Sequence, residues 1–139
     1  MRYLDRLQPL ALLVMRLALG AVFLVHGYHN LFTGLHQHVE LVKQLGLPGW
    51  SGYLSSFAEF FGGLFLLAGL FTRLAAFAIC VDMCVALWKV HWHNGFSVTK
   101  GGVEFPLALA ALAFALIFLG GGPIAFDHIR AGTASSKTK

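Results

Sequence analysis

The stretch GYLSSFAEFFGGLFLLAGLF, residues 52–71, decides how the rest of the chain reads. A helix of that length runs ~30 Å, enough to cross the hydrocarbon core of a bilayer. Its one charged side chain is Glu59. Helical spacing i, i+4, i+7, i+11 and i+14 puts Ser55, Glu59, Gly62, Leu66 and Gly69 on one face. Small residues let a second helix approach closely, so this face is expected to look into a bundle. A carboxyl inside a span costs at least ~2.5 kcal/mol, so Glu59 must be paired, protonated or turned to a polar cavity. The plainer alternative is a neutral Glu hydrogen-bonded between helices as structural glue.

Composition points the same way. Of 139 residues, 58% are hydrophobic and 12% charged, and the mean hydropathy is +0.73. Soluble domains carry roughly 25% charged residues, so this reads as an integral membrane protein of one domain. The net charge of +4 gathers at the termini, and no basic run is dense enough to imply nucleic acid. Cys80 and Cys84, four residues apart in an apolar run, read as packing residues and not as a redox pair or disulfide framework. Arg2 and Arg6 ahead of an apolar stretch imitate a signal peptide. Arg16 interrupts that stretch and no small-x-small site follows, so an uncleaved first span is expected.

Outward from residues 52–71, three further spans are predicted at about 9–28, 74–92 and 105–120. Between the first and second lies a loop with a short amphipathic piece, HVELVKQL, expected along the membrane surface. Only Thr72 and Arg73 separate the second from the third, which makes them an antiparallel hairpin. The expected fold class is an all-α membrane protein, an antiparallel four-transmembrane-helix bundle over residues 1–127. A basic tail at 128–139 is expected to be disordered. Arg2, Arg6, Arg73, Arg130, Lys137 and Lys139 fall on one side of such a bundle, and Lys43 and Lys100 on the other. Both termini are therefore expected in the cytoplasm and the protein in the cell inner membrane. Trp50, Trp88 and Trp92 all fall at the opposite interface, where indole rings settle.

Depth follows from the 1.5 Å rise per residue. Arg16 and Asp82 come out ~9 Å and ~12 Å above the inner edge, so a buried structural ion pair between them is expected. The alternative is Arg16 snorkelling to the inner headgroups. Glu59, Lys89 and His26 come out ~10, ~8 and ~6 Å below the outer edge. His29, His91, His93 and Glu104 surround their mouth. A carboxylate, an amine and several imidazoles in one layer can shuttle protons, hydrogen-bond a quinone headgroup or hold a metal. Metal is the weakest of these, with copper or zinc the candidates. His91-x-His93 and His36-x-His38 lack helical i, i+4 spacing, and for His36 and His38 plain interfacial solvation is the better reading. Gly20, Gly27 and Gly63 read as helix-contact positions. No P-loop, dinucleotide fingerprint, haem-attachment motif or nucleophile elbow occurs.

Four segments together resemble the DoxX family. RLALGAVFLVHGYHNLFTG at 16–34 is similar to its opening, with an arginine, a phenylalanine and an HG pair. EFFGGLFLLAGLFTRLAA at 59–76 resembles its central E-x-x-G-G-x-x-L-x-x-G-x-x-T-R-x-A-A pattern. HWHNGFSVTKGGVEFPLAL at 91–109 and GGGPIAFD at 120–127 resemble its later segments. Asn30 departs from a lysine common after the HG pair, and Ile124 from a GPG close. The resemblance points at Arg16, His26, Glu59, His91 and Glu104. It implies a membrane subunit of, or accessory protein to, a quinone-linked oxidoreductase or other redox complex, at most a non-autonomous enzyme. On this reading Glu59 accepts a proton, His26 or His91 donates and orients, and Lys89 and Glu104 help hold a quinone. A structural or assembly subunit without chemistry is the alternative, and a solute or proton transporter the third. The expected partners are the bilayer and either the other subunits of a redox complex or further copies of this chain.

Overall fold

The computed structural model describes residues 2–129. Among them there are helices and turns but no strand. A short α1 (Arg2–Asp5) leads into α2 (Gln8–Tyr28), with Pro9 in the first turn, where its missing N–H is no loss. A π-helical turn, His29–Thr33, prolongs α2 as far as Gly34. Next come α3 (Leu35–Gln44), α4 (Gly49–Ala68) and α5 (Thr72–Ala86), the last prolonged by a second π-helical turn, Leu87–His91. Two 3-10 turns connect this to α6 (Glu104–Leu119). Three helical stretches, Gln8–Thr33, Gly49–Ala68 and Thr72–Asn94, are long and apolar enough to cross a membrane, and Glu104–Leu119 is a shorter apolar helix.

The second span lies three residues earlier than its hydropathy suggests. Pro48 is extended (ψ 140°) and caps α4, so Gly49, Trp50 and Ser51 enter the helix. At the other end Gly69 is left-handed (φ 69°) and closes it. Phe71 is the one non-glycine residue with positive φ (49°) among those described. The Asp127 carboxylate accepts the Phe71 and Thr72 amides at 2.7 and 2.8 Å, which holds that turn and caps α5.

Helix α2 packs on α4, α4 on α5, α5 on α6, and α6 more lightly back on α2. Helices α2 and α5 thus lie across a diagonal. Glycines set the α2–α4 crossing, as the sequence suggested. A Cβ on Gly27 would overlap the Phe60 backbone, and one on Gly63 the Leu24 backbone. Leu19, Phe23, Leu66, Ile79, Ala113 and Leu116 form the buried core. Large apolar side chains such as Leu10, Val14, Leu64, Phe77, Phe114 and Phe118 stay exposed around it, a surface suited to lipid and not to water.

Amphipathic α3 docks on α4 through Val39, which rests against Gly52. Residues 126–129 form a helical turn. The rest of the expected disordered tail, including Arg130, Lys137 and Lys139, lies outside the described residues.

Candidate functional site

Arg16 and Asp82 do not meet. The guanidinium is buried and donates to the Gly121 and Ile124 carbonyls at 3.1 and 3.3 Å. Left-handed Gly120 and Gly122 (φ 74° and 76°) turn the chain so that those carbonyls face α2. Arg16 also lies against Gly69, and Gly121 against Thr72, which puts the arginine level with the end of α4 and the start of α5. Asp82 is ~15 Å further along α5. Its helix is also diagonal to α2. The sequence depth estimate erred because it assumed that the two helices are neighbours with their ends at one level.

Asp82 instead faces Glu59. The two carboxyls line one cavity close enough to interact electrostatically, and Ser55 shares that lining. Asn30, carried by the π-helical turn after α2, donates its side-chain amide to Glu59 Oε2 at 2.7 Å. Asn30 occupies the place where the resemblance leads one to expect a lysine, so a neutral donor sits where an ammonium would meet the carboxylate. Two neighbouring carboxyls can hydrogen-bond each other only when one of them carries a proton. Three helices converge on this acid pair: α2 through its π-helical extension, α4 and α5.

Above the acid pair is a cavity of ≈ 410 Å³ between α3, α4 and α5. Glu59, Asp82, Ser51, Ser55, Lys89 and His38 are its polar lining residues, and apolar side chains make up the rest. Leu41, Leu54, Phe77 and Val81 belong to this lining and are also exposed on the outer, lipid-suited surface. Lys89 comes from the π-helical turn after α5, with its ammonium 4.5 Å from the centre of the Trp88 ring. Single π-helical turns of this kind often mark functional positions, and here both deliver a polar side chain to the same region.

Of the residues singled out from sequence, the structure brings Glu59, Asp82 and Lys89 to this cavity and leaves Arg16, His26, His29, His91, His93 and Glu104 out. His26 is exposed and its Nδ1 pairs with the Val22 carbonyl of its own helix at 2.8 Å. His91 Nδ1 meets the Gly101 carbonyl at 2.6 Å, and Glu104 accepts the Val98 amide at 2.5 Å. Both fasten the 92–103 loop. His29 pairs with Thr33, and His93 is exposed. Among the described residues no group of three or more His, Cys, Asp or Glu side chains has the spacing to hold a metal ion.

His38, read from sequence as a solvated interfacial residue, is turned inward instead. It lines the cavity, its Nε2 is shut off from solvent without a hydrogen-bond partner, and burial lowers its pKa and favours the neutral imidazole. A signal was present: His38, Leu41, Val42 and Leu45 fall at i, i+3, i+4 and i+7, the inward stripe of α3. Asp82 and Lys89 likewise share a face of the α5 run, seven residues apart.

A multi-pass α-helical membrane protein with an acid pair beneath a cavity open to its apolar surface is the class that this geometry defines. The DoxX family model matches residues 11–92, more than half of the chain. The chain belongs to the DoxX family. It is 30% identical over 137 residues to a Haemophilus influenzae protein of uncharacterized function, covering 92% of this chain and 96% of that one. It is 27% identical over 115 residues to the provisionally named oxidoreductase CatD of Bacillus subtilis, covering 83% of each. No solved structure matches the chain.

Proposed function

We propose that this protein is the membrane subunit of, or an accessory protein to, a quinone-linked oxidoreductase, and that the cavity over Glu59 and Asp82 receives the quinone headgroup. The observation that carries this reading is the carboxyl pair at the base of a cavity with an apolar, lipid-facing rim. A polar solute has no reason to enter through Leu41, Leu54, Phe77 and Val81, whereas a lipid-soluble ring does. A volume of ≈ 410 Å³ lies within the ~300–1,000 Å³ of ordinary small-molecule sites. The provisional name of the Bacillus subtilis relative, an oxidoreductase, agrees.

A bound quinone would supply a two-electron, two-proton couple, its electrons exchanged with a redox centre of a partner subunit. This chain supplies the proton sites. Glu59 and Asp82 hold one proton between them and take up or release another, Asn30 fixes the orientation of Glu59, and apolar walls keep bulk water away. Lys89, on the Asp82 face of the α5 run, continues the polar track toward the end where Trp88 and Trp92 sit.

In the same reading α6 is the fourth crossing and both termini are cytoplasmic in the cell inner membrane. Exposed Arg73 marks the inner end, and exposed Trp50, Trp88 and Trp92 mark the outer one. With Cys80 and Cys84 replaced, a cysteine at Thr99 should react with an impermeant reagent applied from outside, and one at Arg73 should not. Thr72 itself is fully buried and a poor labelling site.

The function is tested by purification in mild detergent followed by lipid extraction. The expected result is quinone near one per chain, lost in Glu59→Gln combined with Asp82→Asn while the melting temperature holds. Folded protein carrying its partners but no quinone above the level of the surrounding lipid would overturn the reading in favour of a structural subunit.

A further inference from the structure

Three buried side-chain atoms among the described residues have no hydrogen-bond partner: Arg16 Nε, Thr72 Oγ1 and His38 Nε2. Such an atom costs ~1–3 kcal/mol and calls for an explanation. Arg16 and Thr72 lie in the packed end of the molecule, against Gly69 and Gly121, and neither lines a cavity described above. His38 differs. Its ring lines the cavity that holds the acid pair, and it comes from α3, an element that contributes neither carboxyl.

We infer that His38 is the second hydrogen-bonding group for the ligand of this cavity, meeting the carbonyl of a quinone headgroup that the Glu59–Asp82 pair does not reach. This rests on the quinone reading above. A para-quinone has two carbonyl oxygens on opposite edges of an apolar ring. It needs polar partners at two separate places and apolar contact between them. Helices α4 and α5 provide one such place and α3 the other, with Val42, Leu45, Leu54 and Val81 among the walls. The α3 backbone that carries His38 is held against α4, because Val39, the next residue, rests on Gly52, where no side chain keeps the helices apart. A neutral ring in this position can donate a hydrogen bond without bringing a charge into the apolar cavity. His38 is thus a binding and positioning residue, and α3 is the wall that completes the site.

The test uses the detergent-purified full chain, decylubiquinone and menadione as probes, and two readouts: the dissociation constant and the infrared carbonyl stretches of the bound quinone. Both carbonyls should be shifted in the wild type. His38→Leu should return one of them to its free frequency and weaken binding about tenfold, equivalent to ~1.4 kcal/mol. His38→Gln, which keeps a donor, should recover part of both effects. Glu59→Gln should move the other carbonyl. Unchanged affinity and unchanged stretches in a folded His38→Leu protein would overturn this inference alone and leave a bound water as the partner of Nε2. Failure of the wild type to bind either probe would overturn the quinone reading and this inference with it.

Discussion

Arg16 and Glu59 are both ionisable side chains buried between apolar helices, and their surroundings could hardly differ more. At the Arg16 end the chain folds back on itself. The 120–125 turn brings two carbonyls to the guanidinium, and Asp127 fastens the α4–α5 turn. Among the described residues the guanidinium hydrogen-bonds only backbone carbonyls, Asp127 is near enough to act on it electrostatically, and it packs closely against Gly69 and Gly121. At the Glu59 end two acids face each other, the neutral Asn30 is the hydrogen-bond partner of Glu59, and a cavity opens beside them. The first arrangement is packed shut, with both terminal nitrogens of the guanidinium bonded to backbone carbonyls and only Nε left without a partner. The second is left with hydrogen-bonding capacity and space, which is what a ligand requires.

The contrast predicts opposite outcomes for the same kind of substitution. The largest stability effect should come from Arg16→Leu, which strands two buried carbonyls and should cost on the order of 3 kcal/mol. Thermal unfolding in detergent would show it. A melting temperature equal to that of the wild type would mean that the folded-back segment is not held by the arginine. Asp127→Ala should be milder, about 1–2 kcal/mol, since it removes the acceptor for two amides at the start of α5. Amide exchange should then quicken first around Phe71 and Thr72.

At the other end, Glu59→Gln retains shape and an acceptor for Asn30 and should change stability by no more than about 1 kcal/mol. Its effect should appear in quinone content or turnover. Normal turnover in a well-assembled Glu59→Gln protein would remove this carboxyl from the chemistry, and disruption by Glu59→Leu alone would favour the structural-glue reading.

The smallest effect expected is a pH dependence of α3. Burial lowers the pKa of His38, so between that lowered value and the ordinary value near 6.5 the undocked imidazole binds more protons than the docked one. Stability therefore falls as pH drops through this window, and is fully present above it. Amide exchange in α3 should quicken modestly on acidification, and His38→Gln should flatten the response. Glu59, Asp82 and Lys89 border the same cavity, so this comparison with the Gln variant is what isolates the histidine.

Much of this was legible in residue types alone. Alternation of long apolar runs with Gly and Pro predicts the helices, since a bilayer demands ~20 apolar residues per crossing. Small residues at Gly20, Gly27 and Gly63 mark the tight crossing, because only glycine lets two backbones come that close. Glu59 stands out because an acid in a span must have a reason to be there. What the residues meet was decided in three dimensions. The Arg16 partners are backbone carbonyls, which every residue carries and which therefore leave no trace in sequence. The acid pair was hidden by span boundaries. Starting α4 three residues earlier lowers Glu59 by ~4.5 Å, and starting α5 two residues earlier raises Asp82 by ~3 Å, which brings both into one layer. Pro48 and the left-handed Gly69 set the first of those shifts. The inward turn of His38 depends on which side of a short amphipathic helix finds a neighbour, and the docking of Val39 on Gly52 settles that. Sequence determines which groups must be kept from water and lipid. Only the packing of the helices determines which of them face one another.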